Sequence, residues 1–159
     1  MHPFAALAMA SSADFGRGRE ARVVRTVKAM LDEATACIAT HSLEDARALH
    51  GRSEVQFIDI RESAELAREG TIPGAFHAPR GVLEFWADPA SPYFNPVFGS
   101  DKRLLLFCAI GWRSALATLT LQEMGLAQIG HLAGGFDAWK AAGGPVVAVP
   151  ENPQNPQPG

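Results

Sequence analysis

Two short runs, VQFIDI at Val55–Ile60 and RLLLF at Arg103–Phe107, are apolar almost without interruption and do not alternate apolar with polar. A strand with one face in water alternates. A strand that is apolar throughout is covered on both faces, and in parallel α/β sheets helices supply the cover. The stretches around the runs fit. Ser42 followed by Asp45 reads as the N-cap of a short helix through Leu49, and Ala64–Glu69 reads as a second helix ended by Gly70. Ala115–Met124 carries Leu116, Leu119, Thr120 and Met124 at helical spacing before Gly125, and IGHL at Ile129–Leu132 reads as a third strand. Gly134-Gly135 opens a last helix, Phe136–Ala142, closed by Gly143 and Pro145. This alternation predicts a mainly parallel α/β sheet with helices on both faces.

Upstream, Glu20–Ile38 places Val23, Val27, Met30, Leu31, Ala34 and Ile38 on one helical face, with Arg22, Arg25, Lys28 and Asp32 elsewhere. An amphipathic helix is expected within residues 19–41, covering its own domain or offering a stripe to a partner or a homodimer. Residues 1–18 read as a disordered lead-in and not an export signal, because FAALAMASS has no basic segment before it. Residues 150–159, rich in Pro, Asn and Gln, carry too little apolar surface to pack. The aromatic, proline-rich segment Val82–Phe98 is either a second small core layer or the mouth of a site.

With 159 residues, one domain is the default. A net charge of -3 without a dense Lys/Arg block argues against nucleic acid or an anionic membrane surface as partner. No apolar run approaches the roughly 20 residues of a membrane span. Two cysteines, Cys37 and Cys108, are too few for a disulfide scaffold or a four-ligand zinc site, so a reducing, cytoplasmic setting is expected. Cys37 lies close to the apolar stripe and reads as a small buried hydrophobe. His77 and His131 have no metal-ligand spacing and read as hydrogen-bonded packing residues, so no metal is expected.

Cys108 is different. It ends the second apolar run and begins the loop CAIGWRS, after which the sequence turns helical, and ligands bind at such strand ends in open α/β sheets. If the loop curls, backbone N–H groups and the following helix dipole stabilise a thiolate, and Gly111 supplies the freedom to curl. Arg113 then either meets an anionic substrate or bonds a carboxylate that shapes the loop, with Glu65 the candidate partner. Asp59 and Arg61 follow the first apolar run and read as ties for loop backbone.

Three segments carry a resemblance to a known family: IDIRESAELAREGTIPGAFHAPRG at Ile58–Gly81, the loop CAIGWR with Ser114, and GGFDAWKAAGGPV at Gly134–Val146. Over roughly Ser42 to Val147, within a domain bounded at 42–149, the chain resembles the single-domain rhodanese-like sulfurtransferases. The resemblance implies a central, mostly parallel five-stranded sheet flanked by helices, to which this chain adds its N-terminal helix. It also implies that Cys108 carries a sulfane sulfur as a persulfide, taken from thiosulfate or another persulfide and passed to a thiol or cyanide, with no metal or organic cofactor. Ala109, Ile110, Gly111, Trp112, Arg113 and Ser114 are the implied substrate-binding loop, with Asp59, Arg61 and Glu65 in support.

The chain also departs from the family. The two-domain thiosulfate and mercaptopyruvate enzymes place an arginine where Glu65 stands here, and their loop is less apolar than one carrying Ala109, Ile110 and Trp112. An organic persulfide is therefore expected to be a better donor than thiosulfate. Two other readings compete. A cysteine-dependent phosphatase or arsenate reductase has a loop one residue longer, often with a histidine before the cysteine, where Phe107 stands here. A non-catalytic regulatory module of the same family commonly lacks the cysteine.

Overall fold

A computed structural model describes residues 22–150. Its five strands, β1 (Ala39–His41), β2 (Val55–Asp59), β3 (Phe76–His77), β4 (Arg103–Phe107) and β5 (Ile129–Leu132), form one sheet in the order β1-β5-β4-β2-β3, and every neighbouring pair is parallel. Six helices among the described residues precede, connect or follow them: α1 (Val27–Cys37), α2 (Leu43–Leu49), α3 (Ser63–Glu69), α4 (Leu83–Ala87), α5 (Trp112–Glu123) and α6 (Gly135–Ala141). Short 3-10 turns lie at Arg80–Val82 and Pro96–Gly99.

The apolar runs are buried on both faces. Along β4, Leu104 and Leu106, continued by Cys108, face a cluster with Ile58, Ala117, Leu121 and Leu83, while Leu105 and Phe107 face Phe57, Phe136, Trp139 and Ala46. α4 and α5 therefore cover one face, and α2 and α6 the other. Each fully buried aliphatic side chain contributes about 1.5–3 kcal/mol relative to exposure, so the central strands anchor the loops at their ends.

From β2 the chain runs outward to β3 and then returns to β4 on the other side of β2. The carboxyl ends of β2 and β4 thus flank the switch point of the sheet, where open α/β folds bind ligands. Ile60 N–H bonds Phe107 O at 3.0 Å, locking the two ends together.

Most local expectations agree with the structure. Ser42 Oγ accepts from Asp45 N–H at 3.1 Å at the start of α2, and Gly70 ends α3 at a positive φ of 79°. The segment 82–98 is a core layer: Leu83, Ala87 and Phe98 are buried, although Phe85 and Tyr93 point outward.

Three expectations need correction. α1 begins at Val27, because Thr26 caps it with Oγ1 accepting from Ala29 N–H, and Val23 and Val24 stand exposed outside it. α5 begins at Trp112 and not Ala115, because the turn is made by Gly111 before the apolar periodicity starts. Cys37 is exposed and not buried, since it closes α1 where the chain leaves for the edge strand β1. β1 and β3, of three and two residues, are too short to show a periodicity in the sequence. The lead-in 1–18, the start of the expected helix and the tail beyond Pro150 lie outside the described residues. No helix among the described residues is long and apolar enough to cross a membrane.

Candidate active site

Cys108 follows β4 directly and is fully buried. The backbone then turns at Gly111, whose φ of 100° is open to glycine and strained for other residues, and α5 begins. That turn brings Gly111 N–H to 3.2 Å and Ser114 N–H to 3.4 Å from Cys108 Sγ. The sulfur also lies 3.5 Å from Ser114 Oγ, to which the thiol donates. Two amides and the amino end of a 12-residue helix converge on one sulfur.

The last motif explains how the loop is held. Phe136 N–H bonds Cys108 O at 2.8 Å and Asp137 N–H bonds Ala109 O at 3.0 Å, so the first turn of α6 draws the loop carbonyls away from the sulfur. Gly135 permits the approach: a Cβ there would lie 2.5 Å from both carbonyl oxygens.

Arg113 is paired with a carboxylate. Its two terminal nitrogens donate to Glu65 Oε1 and Oε2, each at 2.9 Å, and Glu65 also accepts from Glu62 N–H at 2.8 Å. These bonds hold the Glu65 carboxyl down at about 2 and raise the already high pKa of Arg113. Of the two sequence readings of Arg113, the structure shows the carboxylate partner.

Asp59 and Arg61 form the floor beside the loop, both fully buried. Arg61 donates to Asp59 through Nε at 3.1 Å and Nη2 at 2.8 Å, and to Gly70 O at 2.7 Å. Thr71 Oγ1 donates to Asp59 Oδ2 at 2.7 Å. The guanidinium lies 4.2 Å from the centre of the Phe136 ring. The network ties β2, the end of α3 and the first turn of α6 into one block. His77 Nε2 meets Arg61 O at 2.7 Å, as a packing histidine should.

His131 is buried and hydrogen-bonded, in line with its reading as a packing histidine. Its Nδ1 is 2.9 Å from Ser114 Oγ, so a buried line runs from Cys108 through Ser114 to His131. The signal was a lone histidine in an otherwise apolar strand, but only the register Leu106↔His131 places it on the Cys108 face. Burial, with a smaller push from His41, lowers its pKa from 6.5 to about 4. The unfolded chain therefore binds the extra proton between those values, and stability should be complete above pH 6.5 and fall by roughly 3 kcal/mol in total as pH drops through that window. Urea unfolding of wild type and His131→Asn from pH 7.5 to 4 checks this. The variant should flatten the slope; the same slope in both would remove His131 as its source.

The cysteine loop borders a cleft of about 480 Å³ that also involves α1. Clefts near Asp101 and Gln128, of about 390 and 280 Å³, lie at the opposite ends of the strands and have no reach to the sulfur.

Comparison with known proteins places this geometry. Residues 42–142 match the family model described as the rhodanese-like domain. The human thiosulfate:glutathione sulfurtransferase is 30% identical over 106 residues, covering 63% of this chain and 91% of its own. A sulfurtransferase of Allochromatium vinosum is 32% identical over 95 residues, covering 60% and 80%. Among solved structures, a protein of unknown function from Rhodopseudomonas palustris, described as a possible tyrosine phosphatase, is 51% identical with a TM-score of 0.80, covering 82% of this chain and 100% of its own.

Proposed function

Because the chain belongs to the rhodanese-like domain family, we propose that it is a sulfurtransferase that moves a sulfane sulfur through a persulfide on Cys108. The Cys108 thiolate attacks the outer sulfur of a donor, whose S–S bond breaks and whose electron pair leaves with sulfite or an organic thiolate. An acceptor thiol or cyanide then attacks the outer sulfur of the persulfide, and Cys108 departs as a thiolate. This is a double displacement and requires no metal or organic cofactor. The observation that carries the reading is the ring of donors from Gly111 and Ser114 around Sγ, which can stabilise the thiolate both as nucleophile and as leaving group. The names of the human and Allochromatium relatives support the same activity. Since Cys108 has no exposed surface, the donor reaches it once loop atoms give way. Two free cysteines in the described residues suit a reducing, cytoplasmic setting.

The description of the Rhodopseudomonas protein favours a second reading, phosphate ester hydrolysis. Two features weigh against it. Four residues separate Cys108 from Arg113, one short of the phosphatase loop, and the guanidinium that would hold a phosphate is bonded at both ends to Glu65.

The same ion pair bears on the donor. A small dianion such as thiosulfate meets a loop whose cation is already neutralised, so an organic persulfide is the better donor in this proposal. Glu65→Gln releases Arg113 and is expected to raise kcat/KM for thiosulfate about tenfold, the worth of one charge-assisted bond after screening. Turnover of an organic persulfide should change little. A wild type that prefers thiosulfate, or a variant that loses both donors equally, would overturn the assignment.

A further inference from the structure

We infer that the cleft between α1 and the cysteine loop binds the uncharged, apolar body of an organic persulfide, the donor in the sulfur transfer proposed above, on which this inference rests. Its volume of about 480 Å³ lies within the range of small-molecule sites. Val27 and Leu31 of α1 form one wall, and Trp112 and Ala115 at the start of α5 form the other. Val27 and Trp112 are 53% and 56% exposed, surface that a bound apolar group would cover.

The cleft is wired to the sulfur through two of its own lining residues. Gly111 donates its N–H to Cys108 Sγ at 3.2 Å, and His131 holds Ser114, which touches Sγ. A carrier seated here therefore rests against the residues that position the reacting atom. Its charge is constrained as well. Lys28 and Asp32, the charged residues at this cleft, bond each other at 2.7 Å and cancel, and His131 is neutral at pH 7. Nothing among the described lining residues offers an unbalanced charge to a carboxylate or phosphate body.

The family match starts at residue 42, so the α1 wall belongs to a segment outside it. The cleft is a specificity device added to the shared sheet and loop. In the transfer, the Cys108 thiolate forms a bond to the outer sulfur of R–S–SH, the inner S–S bond breaks, and the R–S thiolate takes up the proton and leaves as R–SH. One sulfur changes carrier and no external oxidant or reductant is needed.

The test compares benzyl persulfide, which is apolar and uncharged in its body, with glutathione persulfide and thiosulfate. Wild type should prefer benzyl persulfide over both. Val27→Glu, at an exposed first-turn position where an acid suits the helix, should lower the benzyl-to-thiosulfate ratio of kcat/KM about tenfold, since it spoils one apolar contact face. Thr35→Phe, which narrows the cleft from the same helix, should act in the same direction. Binding is read separately, by calorimetry of benzyl mercaptan with Cys108→Ser: binding should be saturable and should weaken in the Val27→Glu background. Unchanged ratios in both variants, or no binding of benzyl mercaptan, would overturn the cleft. Saturable binding that is lost in Val27→Glu, without sulfur transfer from any donor, would keep the cleft and sink the sulfurtransferase reading.

Discussion

Cys108→Ala is expected to abolish sulfur transfer, lowering turnover by more than about a thousandfold, while Cys37→Ala leaves most of it. The contrast follows from surroundings and not from the element. Cys108 Sγ receives two backbone N–H groups and faces the start of α5. Cys37 is exposed at the end of α1, where the structure supplies its backbone carbonyl with a bond from Gln122 but gives its sulfur no such ring. The direct measurement is intact mass after exposure to thiosulfate and to an organic persulfide: wild type and Cys37→Ala gain one sulfur, and Cys108→Ala gains none. Equal loss in both variants would point to a cysteine-pair mechanism. Aryl phosphate hydrolysis that disappears in Cys108→Ser would reverse the ranking of the two chemistries.

The second large effect concerns stability. Asp59→Ala leaves the Arg61 guanidinium fully buried without its principal counter-charge, and breaking a buried pair in this way costs about 3–5 kcal/mol. Domains of this size are stable by roughly 5–15 kcal/mol, so the variant should lose a large part of its margin and shift its urea midpoint accordingly. Glu69 Oε2, paired with Arg61 Nη1 at 3.4 Å and partly exposed, is a longer and more screened partner than the bidentate Asp59. Removing both charges in Asp59→Leu with Arg61→Met should cost less than the two single changes together, because no orphaned charge remains. A loss below about 1 kcal/mol in Asp59→Ala, the scale of a surface ion pair, would show that the network does not hold the floor of the site.

The central sheet was legible because burial on two faces leaves an unmistakable mark on β2 and β4, and caps such as Ser42 and Gly70 are local chemistry. The Glu65–Arg113 partnership was also within reach, since an acid in place of an expected base needs a counter-charge. What escaped was set by tertiary structure. The exposure of Cys37 depends on how α1 meets an edge strand. Ser114 and His131 are far apart in sequence and meet because β5 lies beside β4 in a fixed register. No periodicity announces such a pairing.

The grip of α6 on the cysteine loop ties the loop's final shape to the order in which the chain is made. Cys108 is synthesised well before Gly135, and until Phe136 and Asp137 dock, the carbonyls of Cys108 and Ala109 have no partners to turn them outward. During synthesis the cysteine loop thus exists for a time without the two bonds that hold its carbonyls in place. Completion of the loop waits for α6, so in a chain ended before Gly135 the loop around Cys108 lacks two of its tertiary hydrogen bonds.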